Sequence, residues 1–214
     1  MKPYYQEGKF GKQLTIYHGD YREVLPELYT IYDLVLTDPP YGIGLEYDGY
    51  NDSEQNLNSV VLNGMPLIRR SGVVTLVTPG IANMYKYPVP NWVLCWRSGA
   101  GTSKGQWGFM SWQPILAYGK DPYLRESMGS REDSLVDNSS CNVNGHPCPK
   151  PVKVWRWLLK RGASRPNDRV LDPFLGSGTT LLVAKELGHE AVGIEQSERY
   201  CEISAKRLIQ GVLF

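Results

Sequence analysis

The run Asp33-Leu34-Val35-Leu36-Thr37 is short and mostly aliphatic, and it stops abruptly at Asp38-Pro39-Pro40. With no polar alternation, it reads as a strand covered on both faces, and the two prolines bar its continuation. Such a strand needs parallel neighbours and helices on either side, and the rest of the chain supplies them. Strand patterns recur at Leu14–His18, 73–77, 92–96, 114–118, 169–171 and 191–194. Helical patterns fall at 24–29, 56–68 and 151–161, the last opened by Pro151 as its first residue and stopped by Gly162. Two more are predicted, one over Thr179–Leu187 with Gly188 behind it, the other from an N-cap at Ser197 to about residue 209. The predicted fold is α/β, a mostly parallel sheet with helices on both faces.

At 214 residues the chain can build one sizeable core but has little room for a second. It is read as a single domain over 1–214. The polar, aperiodic stretch at about 121–145 is read as a loop or small insertion, and 98–105 as a glycine- and serine-rich loop. Trp107, Phe109 and Trp112 are assigned to core packing in preference to stacking on a ligand. Cys95, Cys141, Cys148 and Cys201 form no CxxC pair. Cys141, His146 and Cys148 would offer only three ligands at atypical spacing, so no metal is expected. No apolar run reaches membrane-spanning length and the N-terminus lacks the apolar core of a signal peptide, which predicts a cytoplasmic protein without a membrane partner. The net charge of +1 is uninformative, but 138–167 contains no acid and carries Lys150, Lys153, Arg156, Lys160, Arg161 and Arg165. A local basic surface of this kind can meet phosphates.

Two turns carry chemistry. In Asp172-Pro173-Phe174-Leu175-Gly176-Ser177-Gly178-Thr179, glycines connect an apolar strand to a helix, letting the backbone approach a ligand at the helix N-terminus. A phosphate loop would need lysine after the last glycine, where this chain has Thr179. Glu195 closes the next strand about twenty residues on, where a ribose diol would need a carboxylate acceptor.

The other turn is Asp38-Pro39-Pro40-Tyr41. The exocyclic amine of adenine or cytosine is a poor nucleophile because its lone pair is delocalised into the ring. The Asp38 carboxylate and the Pro39 carbonyl could accept hydrogen bonds from such an amine as it pyramidalises. Pro40 stiffens the turn, and Tyr41 offers a face for stacking. A base must leave the duplex to reach this pocket, at a cost of a few kcal/mol. Stacking worth roughly 1–3 kcal/mol would offset part of that.

Together these segments resemble the DNA amino-methyltransferases that make N6-methyladenine or N4-methylcytosine. Asp38-Pro39-Pro40-Tyr41-Gly42 looks like their catalytic motif, and Asp172-Pro173-Phe174 with Gly176-Ser177-Gly178-Thr179 like their S-adenosylmethionine motif. His146-Pro147-Cys148-Pro149-Lys150-Pro151 is similar to their HPTxKP segment, with Cys148 and Pro149 departing from it. The catalytic motif precedes the cofactor motif, as in the permuted β subgroup.

The resemblance implies a Rossmann-like S-adenosylmethionine-dependent methyltransferase fold forming one catalytic domain, with target recognition in the short segment at about 121–145. It implies Asp38, Pro39, Pro40 and Tyr41 as catalytic residues. It implies cofactor contacts from Asp20, Asp38, Lys150, Pro151, Asp172, Phe174, Gly176, Ser177, Gly178, Thr179 and Glu195. The partner is double-stranded DNA, with room for a homodimer and a cognate restriction endonuclease. A turn that opens with aspartate points to adenine N6 first and cytosine N4 second. An RNA or protein-amide methyltransferase, or a silent DNA-binding regulator, stands behind both.

Overall fold

The computed structural model describes residues 1–8, 12–98, 103–105, 107–139, 141–143 and 145–211. Nine strands form one sheet: β1 (Tyr5–Glu7), β2 (Leu14–His18), β3 (Tyr32–Thr37), β4 (Gly72–Val77), β5 (Trp92–Arg97), β6 (Trp112–Tyr118), β7 (Ser134–Val136), β8 (Arg169–Asp172) and β9 (Glu190–Glu195). Their spatial order is β1-β2-β9-β8-β3-β4-β6-β5-β7. The five strands from β2 to β4 in that order are mutually parallel, while β6 is antiparallel to both its neighbours. Leu34, Val35 and Leu36 are fully buried because β3 lies in mid-sheet with helices above and below. Leu34 and Leu36 pack with Trp155 and Leu158 on one face, and Val35 packs with Val61, Met65 and Ile68 on the other. The predicted α/β class and mostly parallel sheet are what the chain forms. Among the described residues, no helix is long and apolar enough to cross a membrane.

Several local expectations need correction. The first helix begins at Tyr21, three residues before the predicted start, because Asp20 caps it by accepting from the Arg22 N–H at 2.8 Å. The predicted helix over 56–68 is broken into Glu54–Asn56, a π-helical stretch Leu57–Leu62, and Met65–Arg70. Pro66 has no N–H to continue the ladder, and the Tyr21 hydroxyl takes the Val60 carbonyl at 2.5 Å. The helix predicted to open at Pro151 and stop before Gly162 starts one residue later, with Pro151 as its N-cap, and takes in Gly162, with Ala163 as its C-cap.

The segment at 121–145 contains the helix Pro122–Arg125, capped by Asp121, and β7, which extends the sheet beside β5. A three-residue strand is too short to show periodicity in sequence. Part of the predicted loop over 98–105 is a strand, Ser103–Gly105, paired with Gly108–Met110; residues 99–102 lie outside those described. Trp107 and Phe109 are exposed and not in the core, whereas Trp112 is half-buried.

Candidate active site

The helices Thr179–Leu187 and Glu198–Gln210 follow β8 and β9, and the chain leaves β3 towards β4 on the other side. The sheet order therefore reverses between β8 and β3, and their adjacent carboxyl ends open a crevice at that switch point. Asp38 follows β3 there. Its Oδ1 accepts from the Tyr41 hydroxyl at 2.6 Å and from the Thr78 hydroxyl, while its Oδ2 is paired with the Lys150 ammonium. Lys150 is deeply set; burial disfavours its charge, but Asp38, with Cys148 and Tyr47 adding to it, leaves its pKa raised. Burial first, and Asp38 second, raise the Tyr41 pKa well above that of an ordinary tyrosine, so its hydroxyl remains a donor. The Tyr41 ring is backed by Gly80, where a Cβ would come within 2.7 Å of it.

The chain then folds back over the crevice. Buried Asp52 accepts from the backbone N–H groups of Gly42 (2.6 Å), Ile43 (3.2 Å) and Leu45 (3.1 Å), fixing the loop after the Asp38–Tyr41 turn. Beyond it the ribbon Glu46–Tyr47/Tyr50–Asn51 is tied down at its turn. Ser197 donates to Asp48 at 2.5 Å, and the Asp48 N–H donates to the Tyr200 hydroxyl at 3.0 Å.

On the other side of the switch point lies the glycine turn. Gly176 and Gly178 have φ of 53° and 81°, values that favour glycine. Glu195 spans the turn, accepting from the N–H groups of Gly176 and Ser197 at 2.8 Å each, and burial raises its pKa. The last helix laces the turn from below, with Ser204 donating to the Gly176 carbonyl at 2.8 Å and Arg207 reaching Ser177 and Thr179. Asp172 joins the two turns. It accepts from Thr37 at 2.7 Å and Thr180 at 2.5 Å, and burial pushes its pKa up to about 6.

Between the turns is a cavity of about 350 Å³. Of the residues singled out in the sequence, Asp20, Asp38, Pro40, Lys150, Asp172, Phe174, Gly176, Ser177, Thr179 and Glu195 line it; Pro39, Tyr41, Pro151 and Gly178 do not. Lys150 lines the cavity while its ammonium is paired with Asp38. Asp20 is both a cap and a cavity residue, with its carboxylate held by Arg22. Tyr47, Asp48, His146 and Tyr200 also line the cavity. His146 opens the HPTxKP-like segment, but nothing local to the sequence marks Tyr47, Asp48 and Tyr200; they reach the cavity by long-range packing, with the Tyr200 ring centroid 4.7 Å from that of His146.

The cavity combines an aromatic lining from Tyr21, Phe174 and Tyr200 with the buried Glu195 carboxylate and glycine backbone. That set fits a ligand bearing an aromatic base, a diol and a polar tail. The expected basic surface is largely neutralised: Lys150, Lys153, Arg156, Arg161 and Arg165 pair with Asp38, Asp137, Glu186, Asp121 and Glu126 respectively.

Residues 87–206 match the family profile described as DNA methylase. The type II methyltransferase M.ScaI of Streptomyces caespitosus is 30% identical over 259 aligned positions, covering 97% of this chain and 84% of that protein. Two solved structures share the fold. The PvuII DNA methyltransferase (cytosine-N4-specific) superposes with a TM-score of 0.68 at 19% identity, covering 95% of this chain and 88% of its own. The complex of M1.HpyAVI with S-adenosylmethionine gives 0.66 at 22% identity, covering 91% and 98%.

Proposed function

This chain belongs to the DNA amino-methyltransferase family, with S-adenosylmethionine as its methyl donor, and on that premise we propose that it methylates the N6 amino group of adenine at a specific site in double-stranded DNA. The observation that carries this reading is Asp38, an acid at the head of the catalytic turn, set at the wall of the cavity beside the glycine turn.

A carboxylate can accept about four hydrogen bonds. Oδ1 already takes two hydroxyls and Oδ2 one ammonium. The open acceptor site is on Oδ2, and it takes an N–H of the target amine. With the Pro39 carbonyl as the other acceptor, Asp38 turns the nitrogen lone pair towards the cavity. Tyr41, rigid between Gly80 and Asp38, sets the plane of the base. Phe174, Asp20 and Glu195 hold the cofactor's nucleoside, and the glycine turn lets its backbone close on the ligand. The bound cofactor supplies an electrophilic methyl group on a sulfonium. The protein's work is to position the reactants and exclude water, which the ribbon over the cavity favours. The segment at 121–145 contributes to target recognition, duplex DNA is the partner, and a homodimer and a cognate endonuclease belong to the same reading.

Incubation with unmethylated DNA and labelled S-adenosylmethionine, then digestion and mass identification of the nucleosides, tests the assignment. N6-methyladenine is expected. N4-methylcytosine would move the target to cytosine, and cofactor binding without transfer to DNA would point to a regulator.

A further inference from the structure

The connection from β5 to β6 carries a two-stranded ribbon that is separate from the main sheet. Ser103–Gly105 pairs antiparallel with Gly108–Met110, Gly105 opposite Gly108, and two residues lie between them. Trp107, one of those two, is 101% exposed, and Phe109 beside it 68%. A Cβ built on Gly108 would meet no atom within 4 Å, so the ribbon is thin and uncovered at that point.

Strand register locates this ribbon. β6 is antiparallel to β4 with Leu116 opposite Val77, and its first residue Trp112 is opposite Arg97 on β5. Four residues of strand carry the base of the ribbon about 13 Å past the level of Val77, beyond the carboxyl ends of β3 and β4. Sideways, β6 is two strands from β3, a distance of about 10 Å. β8 and β9, which wall the cavity, lie on the other side of β3. Asp38 is thus flanked by the cavity on one side and by the ribbon on the other.

We propose that Trp107 is a wedge which this ribbon inserts into duplex DNA beside the target, filling the space that the extruded base leaves. The proposal rests on the reading of the chain as a DNA methyltransferase whose target base leaves the stack. A major groove admits a two-stranded ribbon, and apolar side chains are used to prise base steps apart. Extrusion costs the target base its pairing and stacking, and an indole stacked on the exposed neighbours offsets part of that cost. The indole gives up solvent exposure that nothing in the free protein relieves.

The test compares wild type with Trp107→Ala and Trp107→Phe on a duplex bearing the site mapped from wild-type methylation. A second duplex carries a mismatch opposite the target base, which removes most of the extrusion cost. Trp107→Ala is expected to lose tenfold or more in kcat/KM on the paired duplex, to stay within about threefold of wild type on the mismatched one, and to bind cofactor unchanged. Trp107→Phe should recover most of the loss. Equal rates on the paired duplex, or equal losses on both duplexes, overturn the wedge. A wild type that methylates no DNA overturns the underlying reading instead.

Discussion

Lys150 and Asp38, 112 residues apart in the chain, form an ion pair in the wall of the cavity, with the ammonium also 5.3 Å from the centroid of the Tyr41 ring. The side chains are only 11% and 17% exposed, so neither charge is screened by bulk water. Removing one partner strands the other. Lys150→Met should destabilise the fold by about 3–5 kcal/mol in urea unfolding, and the double variant with Asp38→Asn should recover most of that loss. Strictly additive losses would contradict a coupled pair.

Thr78 acts on the same carboxylate. Its side chain is buried, its hydroxyl donates to Asp38 Oδ1, and its N–H is anchored on the Thr37 carbonyl at 3.1 Å. On the proposed function it is a positioning residue: by occupying Asp38 Oδ1 it leaves Oδ2 for the target amine. A hydrogen bond to a charged group contributes about 1.5–3 kcal/mol, so Thr78→Val should lower kcat by about tenfold or more. KM for DNA should change little, and Thr78→Ser should restore the rate. A loss expressed only in KM would count against this role.

What could be read from the sequence follows from how local each signal is. Asp38-Pro39-Pro40 and Gly176/Gly178 stand out because prolines and glycines interrupt apolar runs, and the runs around them suffice for the parallel core. Thr78, by contrast, is an ordinary threonine after a strand. It becomes part of the site only because β4 pairs with β3 in the register that sets Thr37 opposite Val77. Arg207 and Ser204 look like the polar face of a terminal helix until that helix packs under the glycine turn. Lys150 and Asp38 are each legible as motif residues, but their pairing is not, since the ion pair depends on tertiary closure.

Gly80 shows the same dependence. With φ of 66° and the Tyr41 ring against its Cα, it admits no side chain without displacing the ring. Gly80→Ala should cut turnover by about tenfold or more, because a small misplacement at the reacting centre is costly, while cofactor affinity stays near wild type. Isothermal titration with the cofactor and steady-state methylation on one preparation would separate the two. A parallel loss of cofactor binding would show that the glycine supports the whole cavity.

The last prediction concerns acid. His146 packs against the glycine turn and Tyr200, and burial, reinforced by Lys150, lowers its pKa from 6.5 to about 4. The unfolded chain therefore takes up the proton first. The stability from the neutral ring is complete above pH 6.5 and is lost as pH falls towards 4. Asp172 works in the opposite sense: its pKa is raised from 3.8 to about 6, so its contribution is complete below 3.8 and is lost as pH rises through 6. The two partly cancel in the wild type, and its stability alone cannot isolate either. The difference between wild type and His146→Gln can, because Asp172 is common to both. In urea titrations that difference should be flat above pH 6.5 and move steadily against the wild type between 6.5 and 4. A difference that stays constant down to pH 4 would mean that the ring is protonated as easily in the folded chain as in the unfolded one.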